Sequence, residues 1–225
     1  MKILAFLIAV LAITILFFTS GAWRAVYTSG TWRYKLTLVV DDNGKQIVSS
    51  SVREVHVQDQ PRITPESHPD IRVRGEAVVV DLGKKGMFFA LLSGKEIGSD
   101  YAFYIVFSEF PSQFDILSPD AIRYYSKLKA KKEMAFDKLP MLVRFRDIND
   151  FKTVEEVDPK DLEKTFGKGV KLVSATIEMI DEPVTHKIAN IINFITWQKN
   201  GFDEWRANLK YGQITFDLSD IDRIF

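Results

Sequence analysis

The sequence predicts an α+β fold: a mainly antiparallel β-sheet that begins as an N-terminal hairpin and meander, two to four helices in the C-terminal half, and one hydrophobic helix ahead of them. Three observations predict it. Trp32, Tyr34, Leu36, Leu38 and Val40 alternate with Arg33, Lys35 and Thr37, the period-two pattern of a half-buried strand. Asn43-Gly44 follows at once, and Asn-Gly supplies the positive φ angles of a tight hairpin turn. Helix-start signals, Ser118-Pro119 and Asp158-Pro159, come only in the second half, so strands precede helices as in α+β chains.

The elements then follow in order. Lys2 leads into Ile3–Phe18, sixteen residues interrupted only by Thr14. A charge, an apolar stretch and then small residues make the layout of a secretory signal, with Ser20 and Ala22 before a cleavage point at Trp23. Sixteen helical residues cover about 24 Å, short of the roughly 30 Å hydrocarbon core. Counting Thr19–Trp23 restores spanning length, with Trp23 as an interfacial anchor. A buried core helix fits less well, because no polar face is present. The expected organisation is a signal peptide or single transmembrane anchor over 1–22, a linker over 23–30, and one extracytoplasmic domain over 31–225.

After the first strand, Lys45–Val57 is the return strand of the hairpin, and its shifting apolar set (Val48, Val52, then Val55, Val57) suggests a bulge near Arg53. Residues 58–70 carry three prolines and read as a surface loop. Val73–Leu82 reads as a strand, Gly83–Gly86 as a turn, and Met87–Leu92 as the returning strand. The short apolar run Tyr101–Phe107 fits a strand buried on both faces. Pro119–Lys132 reads as a helix capped by Ser118, and Leu139–Phe145 as a strand. Asp158 caps a short helix closed by Gly167, and Val170–Met179 is a further strand. Pro183 opens a helix with Val184, Ile188, Ile191 and Ile195 along one stripe, which ends between Trp197 and Trp205. Residues 211–218 look like a final strand.

Composition limits the chemistry. Forty-six per cent of the residues are hydrophobic, with 17 Phe, 7 Tyr and 4 Trp, enough for an aromatic-rich core. Thirty basic residues balance thirty acidic ones, so the cationic surplus that nucleic acid requires is missing and no nucleic-acid partner is expected. With no Cys, disulfides, thiolate metal sites and thiol nucleophiles are excluded.

Several phrases resemble a group of mostly proteobacterial envelope proteins of unknown function. They include Trp32-Arg33-Tyr34-Lys35-Leu36-Thr37, Gly75-Glu76-Ala77-Val78, Leu139-Pro140-Met141-Leu142-Val143 and Asp181-Glu182-Pro183-Val184-Thr185. The similarity runs over roughly residues 31–197. It implies a natural domain of a bacterial envelope, at the inner membrane facing the periplasm or in the periplasm after signal cleavage. It implies no activity and no functional residue.

Candidate sites are few. Arg144 and Arg146 share a strand face, and Asp147, Asn149 and Asp150 follow in the next loop; loops at strand ends bind ligands and partners, although the same charges also suit a solvated turn. His56, His68 and His186 share no spacing, so no metal is expected. Ser49-Ser50-Ser51 lies outside any nucleophile elbow and suits a strand edge, and Gly83–Gly86 and Gly167–Gly169 lack the full phosphate-loop pattern. Arg123–Lys138 holds six basic residues, able to attract lipid head groups or to form the wet face of a helix. No cofactor is expected. The expected role is a non-catalytic protein-interaction or assembly domain, partnered by the membrane through its N-terminal segment and by another envelope protein. The alternatives are a carboxylate-dependent hydrolase of cell-wall or glycan material and a small-ligand-binding domain.

Overall fold

In the computed structural model, which describes residues 2–19, 28–59, 69–210 and 213–223, the alternating segment is the long strand β1 (Ser29–Asp42). It turns at Asn43 (φ 52°) and Gly44 (φ 88°), both in the left-handed region that a type I′ turn demands, and returns as β2 (Lys45–Gln58). Pairing runs without a slip from Ser29↔Gln58 to Asp42↔Lys45, so the expected bulge near Arg53 is absent. The apolar pattern seemed to shift because Arg53 itself points inward, opposite Tyr34 and between the inward Ser51 and Val55. The register shift lies on the other side of β1, between Val39 and Val40 where it meets β9 (Val170–Ile180).

The remaining strands are β3 (Asp70–Glu76), β4 (Val78–Asp81), β5 (Met87–Ala90), β6 (Lys131–Glu133), β7 (Leu142–Phe145), β8 (Val154–Glu156) and β10 (Asp222–Arg223). They form two sheets, ordered β10-β3-β2-β1-β9-β6 and β4-β5-β7-β8, and every pairing is antiparallel. The fold is α+β with mainly antiparallel sheets, as the sequence predicts. The segment read as one strand, Val73–Leu82, is two. At Gly75 (φ 125°) the backbone runs so close to β2 that a Cβ would lie 2.9 Å from the Val52 carbonyl oxygen, and beyond Glu76 the chain passes from the first sheet to the second.

The helices are α1 (Lys2–Thr19), α2 (Tyr101–Glu109), α3 (Pro119–Tyr125), α4 (Leu162–Phe166), α5 (Phe194–Lys199), α6 (Phe202–Ala207) and α7 (Leu218–Ile221). Several depart from expectation. Tyr101–Phe107 is helix rather than strand; its exposed residues, Tyr104 and Ser108, stand four apart, and everything between them is buried. The helix expected over Pro119–Lys132 stops at Tyr125, although Ser118 does cap it, its Oγ accepting from Ala121 N at 3.1 Å. Its expected tail becomes β6, paired with β9. The cap of α4 is Asp161, accepting from Lys164 N; Asp158 instead closes a turn onto Lys160 N. No helix starts at Pro183. The chain bonds to β2 there, through Thr185 and Val52, and only α5, capped by Asn193, is α-helical in the expected span. The supposed stripe is not a face, since Ile188 is buried while Ile191 and Ile195 are exposed. Residues 213–217 are not a strand, and residues 211 and 212 lie outside the described ones, as does most of the expected 58–70 loop.

The inner face of the first sheet packs partly on α2 and α3, where Trp32 meets Phe103, Phe107 and Tyr125, and partly on the second sheet through Val78, Val80, Phe88 and Leu142. The second sheet is buried on its other face too. Phe89, Leu91, Val143 and Phe145 pack there beneath Trp197, Phe202 and Phe216. The result is three layers: sheet, sheet, and a C-terminal layer of short helices.

The expected spanning helix is not found. Helix α1 has 18 residues, about 27 Å, and among the described residues no helix is long and apolar enough to cross a membrane. The added residues 20–23 on which spanning length relied lie outside the described ones. Nor is α1 a core helix: Ile3, Phe6, Leu7, Ile8, Leu11 and Ile13 are each more than half exposed.

Candidate functional site

Among the described residues a cleft of about 940 Å³ opens between the segment 93–99 on one side and Arg206, Ala207 and the segment 213–220 on the other. Its first wall follows β5, where Gly94 and Gly98 bond reciprocally through their backbones (2.8 and 3.1 Å) and pin the loop carrying Lys95. Gly94 is required at this point, since a Cβ would lie 2.8 Å from the Tyr101 ring. The second wall is the stretch from Gln213 to Asp217, held down by the buried side chain of Phe216 in the aromatic layer. Helix α7 sits at its end. There Asp217 and Asp220 form a capping box, Asp217 Oδ1 accepting from Ser219 N and Asp220 Oδ2 from Asp217 N.

Two polar groups in the lining are deeply buried. Ser93 is 3% exposed and Asp220 6% exposed, and neither Ser93 Oγ nor Asp220 Oδ1 completes a short hydrogen bond, although Arg223 Nη2 faces Asp220 Oδ1 at 3.6 Å. Such groups normally pair, because an unsatisfied buried one costs about 1–3 kcal/mol. Burial pushes the Asp220 carboxyl above its usual 3.8, against the opposing pull of Arg223, the Ser93 hydroxyl and Arg206. At the rim, Lys95 pairs with Glu156 at 2.7 Å and Arg206 pairs with Asp217. The cleft therefore offers donors and acceptors of both signs, with the carboxylates Glu96, Glu156, Asp217 and Asp220 outnumbering the cations Lys95 and Arg206.

The wall itself is open in a second way. Ile214, Thr215 and Phe216 neither donate nor accept a backbone hydrogen bond with any described residue. Thr215 is exposed while Phe216 is buried.

The residues singled out in sequence lie elsewhere, around the β7–β8 turn. Glu155 bridges the two arginines. Its Oε2 accepts from Arg144 Nε and Nη2 (2.8 and 2.6 Å), and its Oε1 from Arg146 Nε (2.9 Å). Arg144 also donates to the Thr165 carbonyl and lies over the Phe166 ring, tying β7 to α4. Asp147 accepts from the Asn149 backbone, and Asp150 caps a short turn through Lys152 N. The structure brings the five together, but none lines the cleft.

His56 hydrogen-bonds Thr31, and His186 faces Asp222; His68 lies outside the described residues. Among the described residues no three His, Asp or Glu side chains group to hold a metal. Lys129, Lys131, Lys132 and Lys138 all pair with carboxylates, the last two with the buried Glu109. The cleft was missed because residues 211–218 read as a strand. The signal was Asp217-x-x-Asp220, an acidic pair at capping-box spacing. No protein-family model, curated protein or solved structure matches the chain.

Proposed function

We propose that this protein is a membrane-directed domain of a cell envelope that binds another polypeptide rather than transforming a substrate. One observation carries the first half: the exposed apolar helix α1. Monomeric soluble proteins rarely leave such a surface in water, and export or bilayer insertion removes it. The balanced charge and the paired surface lysines count against a polyanionic partner. The cleft supplies a place for a partner to bind.

The test is cell fractionation and protease accessibility of the full-length protein, followed by purification in mild detergent. The expected outcome is recovery with membranes or the extracytoplasmic fraction and a stoichiometric companion protein. Full-length material in the cytosol, or material that always purifies alone, defeats the proposal. A mass 20-odd residues short at the N-terminus would identify α1 as a cleaved signal.

A second reading has its own support. Glu156, Asp217 and Asp220 share the cleft, burial raises the pKa of Asp220, and glycoside hydrolases work with paired carboxyl groups, one of them an acid of raised pKa. Activity on a wall or glycan panel that vanishes in Asp220→Asn would establish it. Its weakness is that Glu156 and Asp217 are already paired with Lys95 and Arg206.

A further inference from the structure

We infer that the open edge of β2 over residues 45–51 pairs with the same edge of a second copy of this chain, antiparallel about a two-fold axis at Val48. This goes beyond the proposal above, which concerns the membrane and the cleft, and stands without it.

The edge belongs to a regular strand that loses its outer neighbour. Strand β3 covers β2 only from Glu54 to Gln58. Thr185 closes the next outward position, bonding both backbone groups of Val52, and at the other end the chain turns back through Asn43 and Gly44. Along an antiparallel strand the outward-bonding residues alternate. Since Val52 bonds outward, Ser50, Val48 and Gln46 also turn their N–H and C=O groups away from β1, and no described residue meets them. Water pairs these groups in the monomer, so exchanging it for protein gains little; the bonds fix a register and something else must drive the contact. Val48 supplies that drive. It is 65% exposed and sits opposite Val39, on the sheet face turned away from the core. In the joined sheet Val39, Val48 and their counterparts form one apolar row across the joint, withdrawn from water.

The pattern favours a second copy over a foreign chain. Val48 is the midpoint of the open edge, so pairing about it uses the whole edge of both copies and neither overhangs onto Thr185. Val48 then meets Val48, Gln46 meets Ser50, and the one charge on the edge, Lys45, meets Ser51, so no like charges oppose each other. An isologous contact of this kind needs only one self-complementary patch. Nor is the edge guarded by a proline or a bulge, the devices that keep bare strands apart: the β1–β2 register runs unbroken along it.

The chain has no Cys, so single cysteines report the contact directly. The experiment treats the full-length protein in mild detergent with diamide and follows covalent dimer. Directly opposed, hydrogen-bonded residues have Cα atoms about 5.5 Å apart, within disulfide reach. Val48→Cys should therefore crosslink roughly a hundredfold faster than Val173→Cys, an exposed β9 residue outside the joint, because pairing raises the local thiol concentration. Gln46→Cys and Ser50→Cys should crosslink fast only when mixed, which separates this register from contact through α1. Adding Val48→Lys, at a position open to water, to both members of that mixture should abolish the fast reaction by setting two ammonium groups face to face, with the melting temperature unchanged. Val48→Cys no faster than Val173→Cys, a mixture no faster than its members alone, or a fast mixture that persists in folded Val48→Lys overturns the inference. Should Val48→Lys fail to fold, the comparison of the mixture with its members decides.

Discussion

Arg53 is fully buried and faces no carboxylate among the described residues. Its Nε donates to the Glu76 carbonyl at 3.3 Å and its Nη2 to the Ala90 carbonyl at 2.9 Å. The first acceptor lies where the chain leaves the first sheet, and the second lies in the second sheet, so one side chain from β2 joins both layers. Arg53→Ala should therefore cost about 3 kcal/mol or more in urea unfolding, from two orphaned carbonyls and a cavity. Arg53→Lys should recover little of this, because the two carbonyls are met by separate nitrogens of the planar guanidinium, whereas Lys gathers its donors on one nitrogen. A loss below about 1 kcal/mol would show that the staple is idle. The side chain was misread because a charged residue within an apolar alternation suggests a slipped register, when it marks a buried polar bond. Asp220 gives a pH signature. Its folded pKa is raised, so protonation is easier in the folded state than in the unfolded one. The contribution is fully present below the ordinary 3.8, and is lost as pH climbs through the higher folded value. Asp222 acts in the same sense, raised by burial. Asp220→Asn should flatten the fall in melting temperature across that window; an unchanged slope would place the titration elsewhere.

At the scale of elements, legibility followed how local the cause was. The β1–β2 hairpin was readable because its alternation, turn residues and register all lie within one stretch of chain. Helix α2 was not. Its seven-residue apolar run satisfies strand and helix alike, and the choice depends on burial by β1 and the second sheet, with the Tyr34 hydroxyl donating to the Ala102 carbonyl at 2.7 Å. The start of α4 shows a closer competition. Asp158-Pro159 has the right chemistry for a helix start, but the turn it makes delays the helix to Asp161. Asp161→Ala should cost about 1 kcal/mol, the usual value of a lost N-cap, and Asp158→Ala less. Urea midpoints of the two variants decide this, and the reverse order would reassign the cap. Gly44→Ala, at φ 88° with open space around it, should cost about 1 kcal/mol from backbone strain alone. The cleft was the least legible part, because its walls come from segments more than a hundred residues apart and the one local signal, the capping-box spacing of Asp217 and Asp220, marks a helix start and not a cleft.

The whole molecule depends on its middle layer being covered twice. Trp197 is buried against Phe145, stacks on Phe202 and donates its indole N–H to the Ile148 carbonyl at 3.1 Å. Trp197→Ala should cost about 3–5 kcal/mol and bare the outer face of the second sheet, seen as bound hydrophobic dye. A stable, dye-silent variant would mean that the C-terminal helices are an appendage. The general class was legible from the order of strands and helices, but the split into two sheets was not, since it turns on one close approach at Gly75. The pairing of β1 has a further consequence. One neighbour of β1 is its own hairpin, while the other, β9, is made only after most of the chain. Loop-closure entropy makes such distant pairing slow. The hairpin therefore waits with one long edge bare until residues from the last quarter of the sequence arrive to cover it. Whatever slows that closing strand prolongs the time in which the bare edge is open to pairing with other chains.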